Sequence, residues 1–251
     1  MKLGLIGAGN MATALAHGLG EPVLVADPLG DRAQALAQAV GGQVLPRNAD
    51  VAERVDVVVL CHKPAQLDEV AAEISGRARI VVSILAATTT VQLEEAYPGV
   101  PVYRFIPNIP AAEHRGVLCY APGRLAGEGP EREILELFGR AGVVIPLEEP
   151  LLEPAMALMS CGPAFLALVC QAFADAGARH GLPPREAIRM MVETMAGTAT
   201  HLSAHGLDTA ALRATVATPG GVTERGLQAL EDGGLRELCS AAVDTVVGAA
   251  R

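Results

Sequence analysis

The apolar positions in the first part of the chain form short continuous runs, and the segments between them have helical spacing. The runs cover residues 2–6, 23–26, 55–60, 80–85, 102–106, 117–120 and 143–145. Continuous β-branched runs are typical of parallel strands that are covered on both faces. The intervening helical patterns, at 10–20, 31–40, 49–54, 64–74, 91–97 and 128–140, predict βαβ units in a doubly wound, Rossmann-type α/β sheet.

The pattern changes after Pro150, where strand-like runs disappear and Ala, Leu and Met dominate. Helices are predicted at 151–159, 163–180, 184–205, 208–216, 223–233 and 235–249, and the Pro183-Pro184 pair suits a helix start. We therefore expect two domains: an α/β domain over 1–149 and an all-α domain over 150–251. About a hundred helical residues are few for an independent core, which favours a dimer or a higher oligomer.

Composition narrows the possible partners and compartments. The chain has 251 residues, 51% of them apolar but only 3% aromatic, and its net charge is −9. An acidic chain with few aromatic residues is a poor nucleic-acid binder. Five cysteines without a CxxC pair favour a reducing, cytoplasmic location over a disulfide framework. No apolar run approaches the roughly 18 residues of a membrane helix, so we expect no membrane partner.

A glycine-rich segment directly follows the first predicted strand and opens the first predicted helix. It reads Gly7-Ala8-Gly9-Asn10-Met11-Ala12, a Gly-x-Gly-x-x-Ala pattern. Glycines at these positions let the backbone approach a pyrophosphate, which binds to the N–H groups at the helix start. The segment therefore predicts dinucleotide binding, with an ordinary tight turn as the alternative.

Asp27 ends the second predicted strand, twenty residues after Gly7. At this distance an acidic residue would bond the ribose 2′-hydroxyl of NAD, although Arg32 nearby leaves the 2′-phosphate of NADP open. The alternative is a turn-forming Asp before Pro28.

Two further loops follow predicted strands, where open α/β sheets place ligands. In Cys61-His62-Lys63-Pro64, Lys63 is either a cofactor or structural contact or a solvated cation. The segment Tyr103–Pro110 holds two prolines that stiffen the loop, and Asn108 could bond a nicotinamide amide. The alternative for this segment is a strained connection without a ligand.

The helical domain contains two segments whose backbone N–H groups could hold a carboxylate. One is Met159–Phe165, with Ser160, Cys161 and Gly162; the other is Thr218–Thr223, with Pro219, Gly220, Gly221 and Val222. Helix caps would explain each segment equally well. His201 and His205 are spaced i, i+4 without a third ligand, so no metal is expected. A buried thiol replacing Ser is a better interpretation of Cys161 than a nucleophile.

Taken in order, these segments resemble the pyrroline-5-carboxylate reductase family over essentially the whole chain. The motifs are Gly-Ala-Gly-Asn-Met-Ala, Lys63-Pro64, Arg104 to Pro110, Gly-Pro-Ala-aromatic, Thr-Pro-Gly-Gly-x-Thr and Leu230-Glu231-x-Gly-Gly. The resemblance implies reduction of the cyclic imine 1-pyrroline-5-carboxylate to L-proline with NADPH or NADH. It also implies an interlocked homodimer through the helical domain.

The resemblance also implies roles for individual residues. It places the cofactor on residues 7–12 and lines it with Asn48, Lys63, Pro64, Leu85, Ala86 and Ala87, to which we add Asp27, His62 and Asn108. Residues 220–223 would hold the substrate, with Thr223 near the imine nitrogen as the expected catalytic residue.

Several positions depart from the family pattern. Met159-Ser160-Cys161 replaces Ser-Gly-Ser, Phe165 replaces a tyrosine, Ile106 and Ile109 stand in the Met-Pro-Asn-Thr-Pro segment, Ala87 replaces a glycine, and Thr215 replaces an asparagine. These changes leave two alternatives open: a reductase of another cyclic imino acid, such as a pyrroline-2- or piperideine-carboxylate, or a non-catalytic dinucleotide-binding paralogue.

Overall fold

Eight strands of the N-terminal part form one sheet. In the computed structural model, which describes residues 1–249, they are β1 Leu3–Ile6, β2 Val23–Ala26, β3 Gln43–Val44, β4 Val57–Leu60, β5 Val81–Ser83, β6 Val102–Ile106, β7 Gly116–Pro122 and β8 Gly142–Pro146. The strand order is β3-β2-β1-β4-β5-β6-β7-β8. Neighbouring strands are parallel except β6 and β7, which are antiparallel.

The helices follow the predicted segments closely. Those between or after the strands are α1 Asn10–Leu19, α2 Gly30–Val40, α3 Asn48–Arg54, α4 Leu67–Ile74, α5 Thr90–Ala96 and α6 Glu131–Phe138. The C-terminal helices are α7 Leu152–Met159, α8 Gly162–Arg179, α9 Pro184–Ala204, α10 Thr209–Val216, α11 Val222–Asp232 and α12 Leu235–Ala249. The predicted fold class, a Rossmann-type sheet followed by a helical region, is confirmed.

The side chains of the central strands are buried on both faces of the sheet, which explains why the apolar runs of these strands are continuous. In β4, Val57 and Val59 belong to one buried cluster, whereas Val58 and Leu60 belong to another. Successive side chains of a strand point to opposite faces, so both faces of the sheet are covered. This is the burial that a doubly wound sheet requires.

The antiparallel pairing of β6 with β7 differs from the parallel sheet that the sequence predicts. The short connection between the two strands explains the difference. Only residues 107–115 join the two strands, and they form a single 3-10 turn at Ile109–Glu113. A parallel crossover needs a dozen or more residues, so the chain returns antiparallel instead. The two-residue strand β3 was not predicted, because so short a segment carries no periodicity.

The described chain divides into two compact units, residues 1–163 and 164–249. The first contains the sheet and helices α1 to α7, and the second contains nearly all of α8 together with α9 to α12. The predicted boundary at residue 149 stays a prediction.

One stretch is long and apolar enough to cross a membrane by length and composition alone. It covers residues 149–179, although Ser160 and Cys161 separate α7 from α8 within it. The expectation that no stretch reaches this length is therefore not met. A single such stretch is weak support for a membrane span, because helices that pack against protein pass the same test.

Candidate active site

The glycine-rich segment adopts the backbone that only glycine allows at its start. Gly7 has φ +104°, and a Cβ there would lie 2.7 Å from the carbonyl carbon of Cys61 and 2.8 Å from the nitrogen of His62. Gly9 precedes α1, and a Cβ there would meet no heavy atom within 4 Å. The loop is thus closed against the residues after β4 and open at Gly9, an arrangement that fits a pyrophosphate at the start of α1.

Of the remaining residues of this segment, Asn10, Met11 and Ala12 form the first turn of α1, and Ala8 lies in the loop before it. Asn10 is exposed and Met11 half-buried, whereas Ala8 and Ala12 are buried. Both alanines belong to a buried cluster with strand residues such as Leu3 and Leu5, so the start of α1 packs against the sheet.

Asp27 joins the glycine-rich loop to the turn after β2. Its Oδ2 accepts a hydrogen bond from the Ala8 N–H (2.6 Å), and its Oδ1 accepts one from the Leu29 N–H (2.7 Å). The second bond is the turn interaction that was the alternative to ribose binding. A carboxylate has about four lone-pair sites, so Asp27 can make both bonds and still accept a ribose hydroxyl.

The parallel pairing of β2, β1, β4, β5 and β6 brings the loops after these strands to one edge of the sheet. That edge carries the predicted cofactor residues Gly7, Ala8, Gly9, Asp27, His62, Lys63, Pro64, Leu85, Ala86, Ala87 and Asn108. Asn48 begins α3 and lines a cleft together with Asp27. The structure therefore brings these residues to the position where open α/β sheets bind ligands.

His62, in the loop after β4, has one buried ring nitrogen without a hydrogen-bond partner in the described part of the chain. Its Nδ1 lies 2.9 Å from the Lys63 carbonyl oxygen, so Nδ1 carries the proton and Nε2 is an acceptor. Nε2 is buried and has no hydrogen-bond partner within residues 1–249. Burial lowers the pKa of His62. A donor on a bound molecule, such as an amide or a ribose hydroxyl, reaches Nε2 only after the side chain turns out of its buried position.

The loop after β5 contains a strained residue. Ala87 has φ +50°, in the left-handed region, where the family pattern has glycine. The Leu85 N–H donates to the Ser83 hydroxyl (3.2 Å), and the Thr88 hydroxyl donates to the Ala86 carbonyl (3.2 Å). The loop then enters α5, where Thr89 caps the helix by accepting from the Gln92 N–H.

Asn108 uses both ends of its amide inside the chain. Its Nδ2 donates to the Met159 carbonyl (2.8 Å), and its Oδ1 accepts from the Val117 N–H (2.8 Å). The Ser160 hydroxyl donates to the Pro107 carbonyl (3.3 Å). Asn108 and Ser160 thus attach the loop after β6 to the end of α7, and their predicted contacts with cofactor and substrate stay predictions. Cys161 is half-buried and Gly162 buried.

In the second unit, the segment before α11 has the backbone of an anion site, but two of its N–H groups are already bonded. Gly220, at φ +73°, donates its N–H to Glu224 Oε2 (2.6 Å). Gly221 donates to the Thr218 carbonyl (2.9 Å). Val222 and Thr223 follow in the first helical turn, where backbone N–H groups have no intrahelical acceptor. They are the groups of this segment that remain available to a carboxylate.

A buried arginine network was missed by sequence reasoning. Arg104 of β6 is fully buried and contacts Glu149 (2.9 Å) and Glu153 (3.3 Å). Glu149 also accepts from the N–H (2.6 Å) and hydroxyl (2.5 Å) of Thr90 at the start of α5. Burial raises the pKa of Glu149, but the bonds from Thr90 and Arg104 outweigh it and hold the pKa below its usual value. The one signal in the sequence was a charged residue inside an apolar strand.

Within the described residues, no group of three or more His, Cys, Asp or Glu side chains could hold a metal ion. His201 and His205 stack with ring centroids 4.1 Å apart on the surface of α9.

Both the N-terminal and the C-terminal part of the chain match models of known protein families. A family model described as pyrroline-5-carboxylate reductase dimerisation matches residues 149–251, and one described as NADP oxidoreductase, coenzyme F420-dependent, matches residues 2–87. The pyrroline-5-carboxylate reductase of Synechocystis is 31% identical over 100% of this chain and 96% of its own length. Pyrroline-5-carboxylate reductase 3 of Macaca fascicularis is 33% identical over 100% of this chain and 95% of its own.

The chain belongs to the pyrroline-5-carboxylate reductase family. Its fold also matches solved members: the Coxiella burnetii enzyme has a TM-score of 0.89 at 27% identity, covering 99% of this chain and 97% of that one. A Streptococcus pyogenes structure has a TM-score of 0.90 at 24% identity, covering 100% and 98%. As a family member, the chain is an oxidoreductase that uses a nicotinamide dinucleotide.

Proposed function

We propose that this chain reduces 1-pyrroline-5-carboxylate to L-proline, the last step of proline biosynthesis, with NADH or NADPH as the hydride donor. The observation that carries the proposal is the family relationship, which spans the full length of the chain. When bound, the nicotinamide supplies a hydride to the imine carbon, and the imine nitrogen takes up a proton. The protein's part is to bind, orient and polarise.

The first unit would bind the dinucleotide along the carboxyl edge of its sheet. Residues 7–12 would hold the pyrophosphate, because the open backbone at Gly9 and the start of α1 can receive an anion. Asp27 would accept from a ribose hydroxyl. Asn48, Lys63, Pro64 and the residues 85–87 would line the cofactor, and His62 Nε2 would accept from an amide or hydroxyl donor.

The second unit would bind the imino acid at the start of α11. The Val222 and Thr223 N–H groups would hold the substrate's carboxylate, and the positive end of the helix dipole adds to the attraction. The Thr223 hydroxyl would orient the imine nitrogen and stabilise its protonated form, which is the better hydride acceptor. Pro219, Gly220 and Gly221 complete the proposed substrate contacts of this unit, and the predicted contacts of Ser160, Cys161 and Gly162, which belong to the first unit, stay predictions.

We also propose that the chain is a homodimer through its helical part. Several large apolar side chains of helices α8, α9 and α12 are exposed: Leu166, Leu168, Val169, Phe173, Met190, Val192, Leu235 and Leu238. Exposed apolar patches of this kind mark interaction surfaces, and the family model for this part is a dimerisation model. A cytoplasmic location is proposed because all five cysteines are free.

A steady-state assay of nicotinamide oxidation tests the reaction. We expect turnover with 1-pyrroline-5-carboxylate that exceeds turnover with pyrroline-2-carboxylate and piperideine-2-carboxylate by at least about tenfold, a difference of 1.4 kcal/mol in transition-state binding. Turnover with one of the other imines alone would establish the related-reductase alternative. Dinucleotide binding without any turnover would establish the non-catalytic one.

Replacing Thr223→Ala tests the catalytic assignment. Loss of one hydroxyl that bonds the reacting nitrogen is expected to lower kcat by about 100-fold while cofactor affinity stays the same. Thr245→Ala is the matched control, because the hydroxyl of this threonine donates to the Ala241 carbonyl within α12, far along the chain from Thr223. An unchanged rate in Thr223→Ala would remove this residue from the mechanism.

A further inference from the structure

A cleft of about 480 Å³ opens beside Asp27 in the first unit. Its charged or polar lining consists of Asp27, Arg47, Asn48, Glu73 and Arg77. Because it lies at the carboxyl end of β2, next to the glycine-rich loop, it is where the adenosine ribose of a dinucleotide would bind. The following inference therefore rests on the proposed function and concerns the 2′ position of that ribose.

Both arginines of the cleft are already paired with carboxylates. Arg47 makes a two-pronged contact with Asp50: Nε to Oδ2 at 3.1 Å and Nη2 to Oδ1 at 2.6 Å. Arg77 Nε contacts Glu53 Oε1 at 3.0 Å. A fork-to-fork contact uses one edge of the guanidinium, which is the geometry an arginine would otherwise offer to a phosphate.

The charges around the cleft sum to an excess of anions. Three guanidinium groups, on Arg47, Arg77 and, near Asp50, Arg54, stand against four carboxylates: Asp27 and Glu73 in the lining, and Asp50 and Glu53 as partners of the arginines. Asp27 is also fixed in place, because each of its oxygens accepts a backbone N–H. A ribose hydroxyl can donate to Asp27, whereas a phosphate can only accept and is repelled.

We propose that this chain selects NADH over NADPH at the Asp27 cleft, and that Asp50 is the specificity-determining residue that keeps Arg47 from binding a 2′-phosphate. Asp27 accepts a hydrogen bond from the 2′-hydroxyl. Asp50 holds Arg47, which directly precedes Asn48 at the start of α3, in an ion pair, so that Arg47 does not bind a phosphate. Releasing Arg47 from Asp50 gives the cleft a free guanidinium and removes one negative charge.

Equilibrium binding tests this without reference to turnover. NADH and NADPH are titrated by nicotinamide fluorescence, and 5′-AMP and 2′,5′-ADP, which differ only by the 2′-phosphate, are titrated by calorimetry. We expect the wild-type chain to bind NADH roughly tenfold more tightly than NADPH, the scale of one charge contact at low ionic strength. Raising the salt concentration should reduce this ratio, because the cleft is open to solvent.

Three variants assign the effect to the Arg47–Asp50 pair. Asp50→Asn should tighten NADPH and 2′,5′-ADP binding by about tenfold and leave NADH within about twofold. Adding Arg47→Gln to this variant should abolish the gain. Glu136→Gln is the matched control, because it likewise removes the carboxylate of an exposed ion pair, with Arg132 on α6, and it should change neither affinity.

The outcomes separate this inference from the proposed function. Equal or tighter NADPH binding by the wild-type chain would overturn the selection of NADH and leave dinucleotide binding intact. Weaker NADPH binding in Asp50→Asn would mean that Asp50 orients Arg47 toward the phosphate, and the assigned role would be wrong. Failure to bind either dinucleotide would contradict both proposals.

Discussion

At the scale of single residues, Glu224 competes with the proposed substrate for the start of α11. Its carboxylate accepts from the Gly220 N–H at 2.6 Å, although the side chain is otherwise exposed. A carboxylate at a helix start is itself stabilised by the dipole, and it repels a second carboxylate brought to the same place. The substrate would have to displace Glu224 or bind beside it.

Removing this carboxylate is expected to strengthen substrate binding. Glu224→Ala should lower the KM for 1-pyrroline-5-carboxylate about three- to fivefold, the range of an exposed charge contact. The KM for the cofactor should not change. Initial rates at varied substrate and saturating cofactor measure the effect, and Glu231→Gln on the same helix is the control because that residue pairs with Arg236. An increased substrate KM would show that Glu224 helps to bind the substrate.

Ala87 is the residue whose backbone conformation least suits its side chain. Its φ of +50° costs an L-residue with a Cβ about 1–2 kcal/mol, and glycine avoids this cost but loses about 0.5–1 kcal/mol of chain entropy on folding. Ala87→Gly should therefore raise the free energy of unfolding by roughly 0.5 kcal/mol. Urea denaturation measures it. Ala86→Gly, at the exposed neighbouring position with no positive φ, should lower it, and equal effects at both positions would contradict the strain.

At the scale of elements, Glu149 connects three parts of the first unit. It lies before α7, bonds the start of α5 through Thr90, and contacts Arg104 in the middle of β6. A fully buried guanidinium needs such partners, because an unpaired charge away from water is costly. The same contacts hold α5 and, at its start, the loop of residues 85–89 that the proposed cofactor would touch.

Glu149→Gln should destabilise the protein by about 2 kcal/mol at pH 7, since it leaves Arg104 with Glu153 as its remaining charged partner. The folded-state pKa of Glu149 is lowered, so its stabilising effect is present above its unfolded pKa of about 4.3 and is lost as the pH falls through the folded value. Unfolding free energies of wild type and variant should therefore converge below about pH 4. Glu148→Gln, an exposed neighbour, is the control; a constant difference from pH 7 to pH 3 would contradict this charge effect.

The sequence was sufficient for elements whose identity depends on local patterns. Continuous apolar runs located the strands because both faces of the sheet are buried, and the glycine-rich loop was recognisable because it joins a strand to a helix. Contacts such as Arg104 with Glu149 or Arg77 with Glu53 were not predictable, because their partners are 45 and 24 residues apart and meet only in the folded chain. The bond from Gly220 to Glu224 is local, but helix capping and ligand binding use the same residue types.

At the scale of the whole molecule, the second unit has little core of its own. Among its described residues, Cys170, Ala174 and Ala187 are the buried apolar side chains, whereas apolar residues such as Leu168 and Phe173 are exposed. Small buried side chains contribute little to stability, and the entropy of ordering about 86 residues requires more burial than they supply. A second copy of the chain is the partner that the dimerisation family model indicates.

Leu168→Arg tests whether this exposed surface is the dimer interface. Leu168 is 70% exposed within the chain, so the substitution should disturb no packing inside the subunit. Burying a leucine contributes about 1.5–3 kcal/mol, and a twofold interface would lose it twice, so the dimer should weaken by at least 100-fold. Sedimentation of the variant should show a monomer at micromolar concentration, and its thermal midpoint should fall and become independent of concentration. Val143→Arg, at 64% exposure on the edge strand β8, is the matched control and should remain dimeric. Dissociation by Val143→Arg instead would place the interface on the sheet rather than on the helices.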